Sequence, residues 1–340
     1  MMSLWTLFGS FLFKFSTILK LAAAFYVAVP LAIKYVPQIV AKATFLNFIC
    51  PPLRLLNLTK PEQWGLSNVT NSSIQSSDGI NLGMWHIKPK YTSHLQNASK
   101  VIIYCHGNAG HRGFGHRRYI LKLFQSLGYH VIAFDYRGFG DSEGKPSQNG
   151  VVQDTLTVYK WVVKHTQSEC RIYVWGHSLG TSIATHAIAE VQSTMVKQPE
   201  GLILEAPFTS ISEAIFRYPL SRYLLHLYPT EFIHNLICAA FKRNSIQFST
   251  VQVLPLIKCK VLMLHAMDDT KVDYSLGEKL FNEMKACGIC KCPFIKFYSF
   301  EKLHGFGHNY IHKYPKLPAL LTDFEDSKPG SEQEFLSATF

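Results

Sequence analysis

The sequence predicts an α/β fold: a mostly parallel sheet with helices on both faces, a helical lid insertion, and an apolar N-terminal segment ahead of it. Three observations predict it. From about Val69 onward, short apolar runs alternate with stretches of helical spacing, the pattern of parallel strands joined by crossover helices. Runs such as Val101-Ile102-Ile103-Tyr104-Cys105 and Val261-Leu262-Met263-Leu264 are apolar throughout, so both faces of those strands are covered. Gly176-His177-Ser178-Leu179-Gly180 lies directly between a strand-like run, Arg171 to Trp175, and a helix-like run, Thr181 to Ala189. A G-x-S-x-G in that context is an abrupt strand-to-helix turn that exposes its serine at the sheet edge. At 340 residues, 47% hydrophobic and 17% charged, the chain accommodates one such domain of about 250 residues with extra segments.

Residues 1–60 read as an anchor and juxtamembrane segment. Leu4 to Val36 is apolar apart from Lys14, Lys20 and Lys34, and only 13 uncharged residues separate the last two. That is short of the ~20 needed to cross a bilayer. With both lysines snorkelling, Ile18 to Val36 is long enough, and Pro30 is tolerable in a membrane helix. A cleaved signal peptide ending near Ala41-Lys42-Ala43 is the alternative. Lys34, Lys42 and Arg54 after the span outweigh Lys14 and Lys20 before it, a bias that favours a cytoplasmic body. Against this, four N-x-S/T sequons, at Asn57, Asn68, Asn71 and Asn97, cluster between the span and the first continuous apolar strand. Their clustering favours a luminal or extracellular body.

Residues 61–326 form the expected α/β domain. Ser72 to Ser77 and Leu82 to Ile87 flank the turn signal Asp78-Gly79 and open the sheet as an antiparallel pair. The strand Val101 to Cys105 follows, then a helix over Tyr119 to Leu127 that stops at Gly128, and a strand His130 to Asp135. Val151 to Lys164 is an amphipathic helix leading into the strand before Ser178. Later strands are Leu202 to Leu204, Val261 to Leu264 and Phe294 to Phe300. Phe208 to Thr250 is longer than one connecting helix requires and is rich in Tyr, Phe and Leu; it reads as a lid over an apolar channel, with an ordinary pair of surface helices as the alternative. Residues 327–340 are polar and acidic and read as a disordered tail.

The net charge of +11 suits an anionic lipid surface. Nucleic acid is not an expected partner, because no helix-turn-helix, zinc-finger or RNA-binding signature accompanies the scattered basic residues. Cys287, Cys290 and Cys292 form the one cysteine cluster, but no second ligand pair lies at a zinc-site spacing. No metal or cofactor is expected; the cluster reads as a loop with incidental or disulfide-capable thiols. Cys105, inside an apolar strand, is expected to be buried and inert. The oligomeric state is not legible.

The chemistry is nucleophilic. A serine hydroxyl needs a base to take its proton and a carboxylate to orient that base. In α/β-hydrolases they occur in the order serine, acid, histidine, on loops after successive strands. Asp268 and Asp269 both follow the strand Val261 to Leu264. Asp269 has the D-x-x-V spacing to Val272, while the other aspartate is free to cap a helix; Glu205 is a minor candidate. After the last strand, His308 in Gly307-His308-Asn309 is the favoured base, His304 the runner-up, and His312 lies too far along. The oxyanion donors are expected to be the backbone N–H groups of Leu179 and of Asn108 in His106-Gly107-Asn108-Ala109-Gly110. Arg112, Arg117 and Arg118 in the next stretch are either a solvated basic loop or a site for an anionic headgroup.

These motifs together, with Phe134-Asp135-Tyr136-Arg137-Gly138-Phe139-Gly140-Asp141-Ser142, Leu264-His265-Ala266-Met267-Asp268-Asp269 and His308 to Pro318, resemble the alpha/beta-hydrolase domain-containing protein 12 family over about Asn81 to Phe324. The resemblance implies a membrane-anchored lipase with its catalytic domain in the endoplasmic reticulum lumen, acting on lysophosphatidylserine and monoacylglycerols. It also implies His308 as the base and Asp269 as the acid. Asn309 and His312 depart from the family pattern, in which a basic and an aromatic residue stand there. The function expected is ester hydrolysis of a single-chain lipid through an acyl-Ser178 intermediate. A protein-depalmitoylating thioesterase and a non-catalytic membrane scaffold are the alternatives.

Overall fold

The computed structural model describes residues 4–36, 38–49, 57–91, 94–194, 197–219, 221, 225–286, 292–327 and 334–338. Its centre is a sheet of strands β1 (Val69–Gln75), β2 (Asn81–Ile87), β3 (Lys100–Cys105), β4 (His130–Phe134), β5 (Arg171–His177), β6 (Gly201–Glu205), β7 (Lys260–Ala266), β8 (Ile295–Phe300) and β9 (Glu334–Ala338). They lie in the order β1-β2-β4-β3-β5-β6-β7-β8-β9. β2 pairs antiparallel with both β1 and β4, and every other pairing is parallel. The order reverses around β3, so the carboxyl ends of β3 and β5 flank the crevice where α/β sheets place their sites.

Helices in chain order are α1 (Leu4–Tyr35), α2 (Gln38–Thr44), α3 (Arg117–Ser126), α4 (Gln148–His165), α5 (Leu179–Thr194), α6 (Ile211–Arg217), α7 (Thr230–Arg243), α8 (Thr250–Val253), α9 (Tyr274–Ala286) and α10 (Leu317–Asp326). Strand side chains alternate between two buried layers. Val101, Ile103 and Cys105 of β3 join the layer under α4, α5, α7 and α9, while Ile102 and Tyr104 join the layer under α3 and α10. Both faces are therefore covered, which is why these strands read as continuous apolar runs.

Two boundaries differ from those read in the sequence. Residues 334–338 are not an irregular tail: β9 continues the sheet in parallel beside β8, where Phe335 pairs with Phe297 and Leu336 with Tyr298. Open backbone groups on β8 supply an edge that a polar composition does not reveal. The segment before residue 60 is also no separate unit. Leu46 bridges Ala109, the Gly110 N–H donates to the Ile49 carbonyl at 3.2 Å, and Asn47 Nδ2 donates to the Gly138 carbonyl at 2.8 Å. Phe45 and Leu58 are each 2% exposed.

Helix α1 contains a run, Phe13–Tyr35, of 23 residues with mean hydropathy 1.8, long and apolar enough to cross a membrane. Most of its side chains face outward, Phe13 at 75% exposure, but Val29 and Ile33 pack on the core. Between β6 and β7, α7 turns Ile233, Ile237, Ala240 and Phe241 inward, a stripe at helical spacing.

Candidate active site

Ser178 occupies the turn from β5 into α5 with φ of 54°, a backbone angle that β-carbon sterics disfavour and that occurs where surroundings enforce it. Those surroundings are close. The Ser178 N–H donates to the Glu205 carbonyl at 2.9 Å, and its own carbonyl accepts from the Thr181 N–H at 2.9 Å and the Thr181 hydroxyl at 2.6 Å. A Cβ on Gly176 would sit 2.4 Å from the Gly180 carbonyl oxygen, and one on Gly180 would sit 2.0 Å from that of Cys105. Only glycine at both positions lets the helix start this near the end of β3. Gly107 consequently passes beside the serine: a Cβ there would lie 3.4 Å from Ser178 Cβ.

Asp269 follows β7 and is 9% exposed. Its Oδ2 lies 2.7 Å from His308 Nδ1 and 3.4 Å from His265 Nε2. Its Oδ1 accepts from the backbone N–H groups of Lys271 at 2.8 Å and Val272 at 3.0 Å. Burial pushes this carboxyl up, but His308 and His265 outweigh it and hold it well below the usual carboxylate range. Asp268 does a different job, its Oδ1 accepting from the Gly307 N–H at 2.9 Å and fixing the turn that presents His308. His304 instead stacks on Phe306 with centroids 5.0 Å apart, and His312 stacks on Tyr119 at 5.7 Å. The structure therefore pairs Asp269 with His308, holds their loop against His177, the residue before Ser178, and leaves Asp268, His304 and His312 outside that pair.

Two further neighbours belong to this site: His177, which the sequence does not mark, and Glu205, expected only as a minor candidate for the acid. His177 Nε2 lies 2.9 Å from the His308 carbonyl; burial holds the ring well below its ordinary pKa, so it is a neutral donor that ties the histidine loop to the nucleophile's strand. Glu205 accepts from Trp175 Nε1 at 3.0 Å, and burial, with the Asp269 charge nearby, pushes its carboxyl up to about 8. His177 stands inside the G-x-S-x-G itself, but nothing in the string shows that its ring reaches residue 308.

The loop expected to supply an oxyanion donor, residues 106–110, lies against the segment before residue 60: Asn108 Nδ2 donates to the Thr44 carbonyl at 3.4 Å. Leu179 is the first residue of α5, so its N–H has no acceptor within the helix. The site is nearly closed, with Ser178 9% exposed and the His308 side chain 8%.

The basic stretch departs from expectation. Arg112 is fully buried, and its Nη1 meets Asp135 at 2.5 Å and Asp141 at 2.6 Å, with the guanidinium 4.9 Å from the Trp85 ring centroid. Arg117, 3% exposed, donates to the carbonyls of His111 at 2.7 Å, Gly107 at 3.2 Å and Ala109 at 2.5 Å. Neither guanidinium is a headgroup site: one is paired with the buried Asp135 and the more exposed Asp141, and the other braces residues 106–110 through their carbonyls. Arg118 alone of the three is not enclosed in this way, and lies 5.1 Å from the Tyr119 ring.

Of the sequon asparagines, Asn68 and Asn97 are exposed, Asn57 and Asn71 half-buried. Asn68 Nδ2 donates to the Lys88 and Pro89 carbonyls at 3.2 and 3.1 Å, and Asn71 Oδ1 accepts from Arg112 at 3.2 Å. Burial pushes the Cys105 thiol up to about 12, leaving it protonated and inert. Cys287 and Cys290 lie outside the described residues, and Cys292 Sγ rests 3.0 Å from the Cys259 carbonyl.

Comparison with known proteins bears on both fold and chemistry. The family described as Serine aminopeptidase, S33 matches residues 96–250. The lysophosphatidylserine lipase ABHD12 of Danio rerio is 37% identical over 93% of this chain and 85% of its own length. The Bos taurus lipase of the same name is 36% identical over 94% and 82%, and the Homo sapiens protein ABHD12B is 32% identical over 82% and 78%. Among solved structures, an α/β-hydrolase of Vibrio vulnificus aligns with TM-score 0.60 at 19% identity, over 80% of this chain and 87% of that one. An esterase of Pyrococcus furiosus aligns with TM-score 0.58 at 20% identity, over 78% and 92%. The fold is that of the α/β-hydrolases.

Proposed function

Because this chain belongs to the ABHD12 family of lipase-type α/β-hydrolases, we propose that it cleaves the carboxylic ester of single-chain lipids, lysophosphatidylserine and monoacylglycerol, through an acyl-Ser178 intermediate. The observation that carries the reading is the 2.7 Å contact between His308 Nδ1 and Asp269 Oδ2, on a loop that His177 ties to the serine's strand. With Nδ1–H donated to the carboxylate, Nε2 keeps its lone pair for the Ser178 proton. The serine oxygen attacks the ester carbonyl, and the developing oxyanion is received by the N–H groups of Asn108 and Leu179. Collapse expels the glycerol oxygen, which takes the proton from His308; water, deprotonated by the same base, then releases the fatty acid and restores Ser178.

In this reading α1 anchors the chain in the endoplasmic reticulum membrane as a single span, with the hydrolase domain on the luminal side. The outward apolar surface of Phe13–Tyr35 and the surface positions of Asn68 and Asn97 support it. The 208–250 insertion acts as a lid over a site that is otherwise nearly closed. The test is covalent labelling with a fluorophosphonate in detergent-solubilised full-length protein, alongside hydrolysis of lysophosphatidylserine. Ser178→Ala is expected to abolish both; full hydrolysis by that variant would overturn the mechanism. Turnover of a palmitoyl-cysteine peptide with no turnover of either lipid would favour a thioesterase.

A further inference from the structure

Helix α7 of the insertion does not meet α1 at its end. Tyr228, just before α7, stacks on Tyr26 with ring centroids 4.6 Å apart and planes 17° apart, and its hydroxyl donates to the Tyr26 carbonyl at 3.1 Å. At the far end of α7, Arg243 Nη1 donates to the Lys34 carbonyl at 2.8 Å. The two helices thus run side by side in the same sense, with Val29 and Ile33 turned onto the core between those contacts.

The position along α1 is what matters. Tyr26 lies nine residues before Tyr35, where the apolar run closes, and nine residues of helix cover about 13 Å. Wherever between these two residues the bilayer surface falls, the start of α7 is at that surface or below it. The side chains are graded accordingly. Beside Tyr228, Leu227 is 57% and Phe232 52% exposed, large apolar groups left more than half open. Lys242 and Arg243 stand exposed at the opposite end of α7, level with Lys34, where lipid phosphates would meet them. Among the described residues, His226, Glu231 and His234 are ionisable groups at the apolar end, all exposed. A cavity of about 260 Å³ lies beside this tip, with Phe216, Leu225 and Ile233 as its apolar wall and Glu213, Arg217, His226, Thr230 and His234 as its polar one.

We propose that Leu227 and Phe232, at the tip of the insertion, form a bilayer-docking surface through which a single-chain lipid leaves the leaflet and passes under α7 toward Ser178 without crossing water. The proposal rests on the reading of α1 as an anchor, and it adds that the lid itself touches lipid. An anchor alone would tether the domain; a docked lid makes the leaflet the entrance to the site and favours substrates resident in it.

The experiment uses full-length protein reconstituted in phosphatidylcholine vesicles. Leu227→Asp with Phe232→Asp is expected to lower hydrolysis of vesicle-resident oleoyl lysophosphatidylserine at least about fivefold, since carboxylates are costly at that depth. Hydrolysis of water-soluble p-nitrophenyl butyrate should stay within about twofold, because that substrate bypasses the leaflet. Separately, Phe232→Trp in vesicles of chain-brominated phosphatidylcholine should add tryptophan quenching beyond that of the unsubstituted chain; this readout does not depend on the aspartate variants folding. Equal losses on both substrates, or no added quenching in protein that floats with the vesicles, would overturn the docking surface while leaving the anchor standing. Protein that fails to float would remove the anchor reading, and the docking surface with it.

Discussion

Asp135 and Asp269 are both buried aspartates just beyond the ends of parallel strands, and both lie near histidines. Asp135 is within 3.3 Å of His106 Nε2 and Asp269 within 2.7 Å of His308 Nδ1. Burial opposes ionisation of each, and in each case the surrounding positive groups win, holding both carboxyls well below the usual range. The difference is the partner. Asp135 faces the Arg112 guanidinium at 2.5 Å and takes the Arg112 N–H as well, also at 2.5 Å, so its charge is spent on a permanent cation. Asp269 has two backbone N–H donors and two imidazoles, and no guanidinium. Its charge stays available to stabilise an imidazolium that forms only during turnover. One aspartate is committed to the fold, and in the proposed reaction the other serves the base.

The largest expected effects separate the two. Asp269→Asn should lower kcat for lysophosphatidylserine by about 10³ to 10⁴, with little change in KM, because the wrong tautomer of His308 is then favoured. His308→Ala should fall as far, whereas His304→Ala should retain nearly full turnover. Steady-state kinetics in detergent checks all three. A mild Asp269→Asn phenotype would mean that another carboxylate orients the base, and Asp268 or Glu205 would be next to test.

Asp135→Asn should do the reverse. It leaves Arg112 buried with one carboxylate fewer, a loss on the order of 3 kcal/mol in stability, while the protein that remains folded keeps its kcat. The sign of the pH dependence follows from the depressed carboxyl. Its stabilisation is present above the unfolded value of about 4 and is lost as pH falls toward the folded one. The gap between Asp135→Asn and the parent chain in thermal melts should therefore narrow in acid. A kcat loss at constant stability would blur the contrast between the two aspartates.

Glu205 sharpens the comparison from the other side, as a buried carboxyl that acquires no cation. Its folded value is raised to about 8, so its protonated form supports the fold below the ordinary carboxylate range, and that support is lost as pH rises through the folded value. Glu205→Gln keeps an acceptor for Trp175 and removes the charge. Its Tm should exceed the parent's by several degrees, on the order of 2–4 °C per kcal/mol, at pH 8–9, and the two should converge near pH 4. No convergence would mean that Glu205 is ionised throughout and already paired.

The legible parts of this molecule were those whose meaning is local. The turn at Ser178 could be read because glycine spacing and the flanking apolar runs carry its geometry, and Asp269 and His308 because each follows a recognisable strand. Arg112 and Arg117 were misread because burial of a guanidinium depends on partners far off in sequence: Asp135 and Asp141 for one, backbone carbonyls for the other. The same is true of the segment before residue 60, whose contact with residues 106–110 joins positions more than 50 residues apart. β9 escaped notice because its apolar residues, Phe335, Leu336 and Ala338, form a short run at the end of a polar stretch, and its pairing comes from the open side of β8.

The smallest effect concerns what remains of headgroup recognition. With Arg112 and Arg117 consumed inside the protein, Arg118 is the one arginine of this stretch left to meet an anionic lipid, and its hold on Tyr119 is loose, with Nη2 3.4 Å from the hydroxyl. An exposed charge pair of this kind contributes roughly 0.2–1 kcal/mol. Arg118→Ala should therefore raise KM for lysophosphatidylserine about two- to threefold and leave a monoacylglycerol of equal chain length unchanged. The difference should fade as salt is raised toward 1 M, where screening is complete within about 3 Å. Arg112→Ala should instead lower stability without this selectivity, since its guanidinium answers to Asp135. Should Arg112→Ala discriminate between the two lipids while Arg118→Ala does not, the buried pair would be acting on the substrate through His106, which Asp135 touches. The division between the two aspartates would then be one of degree.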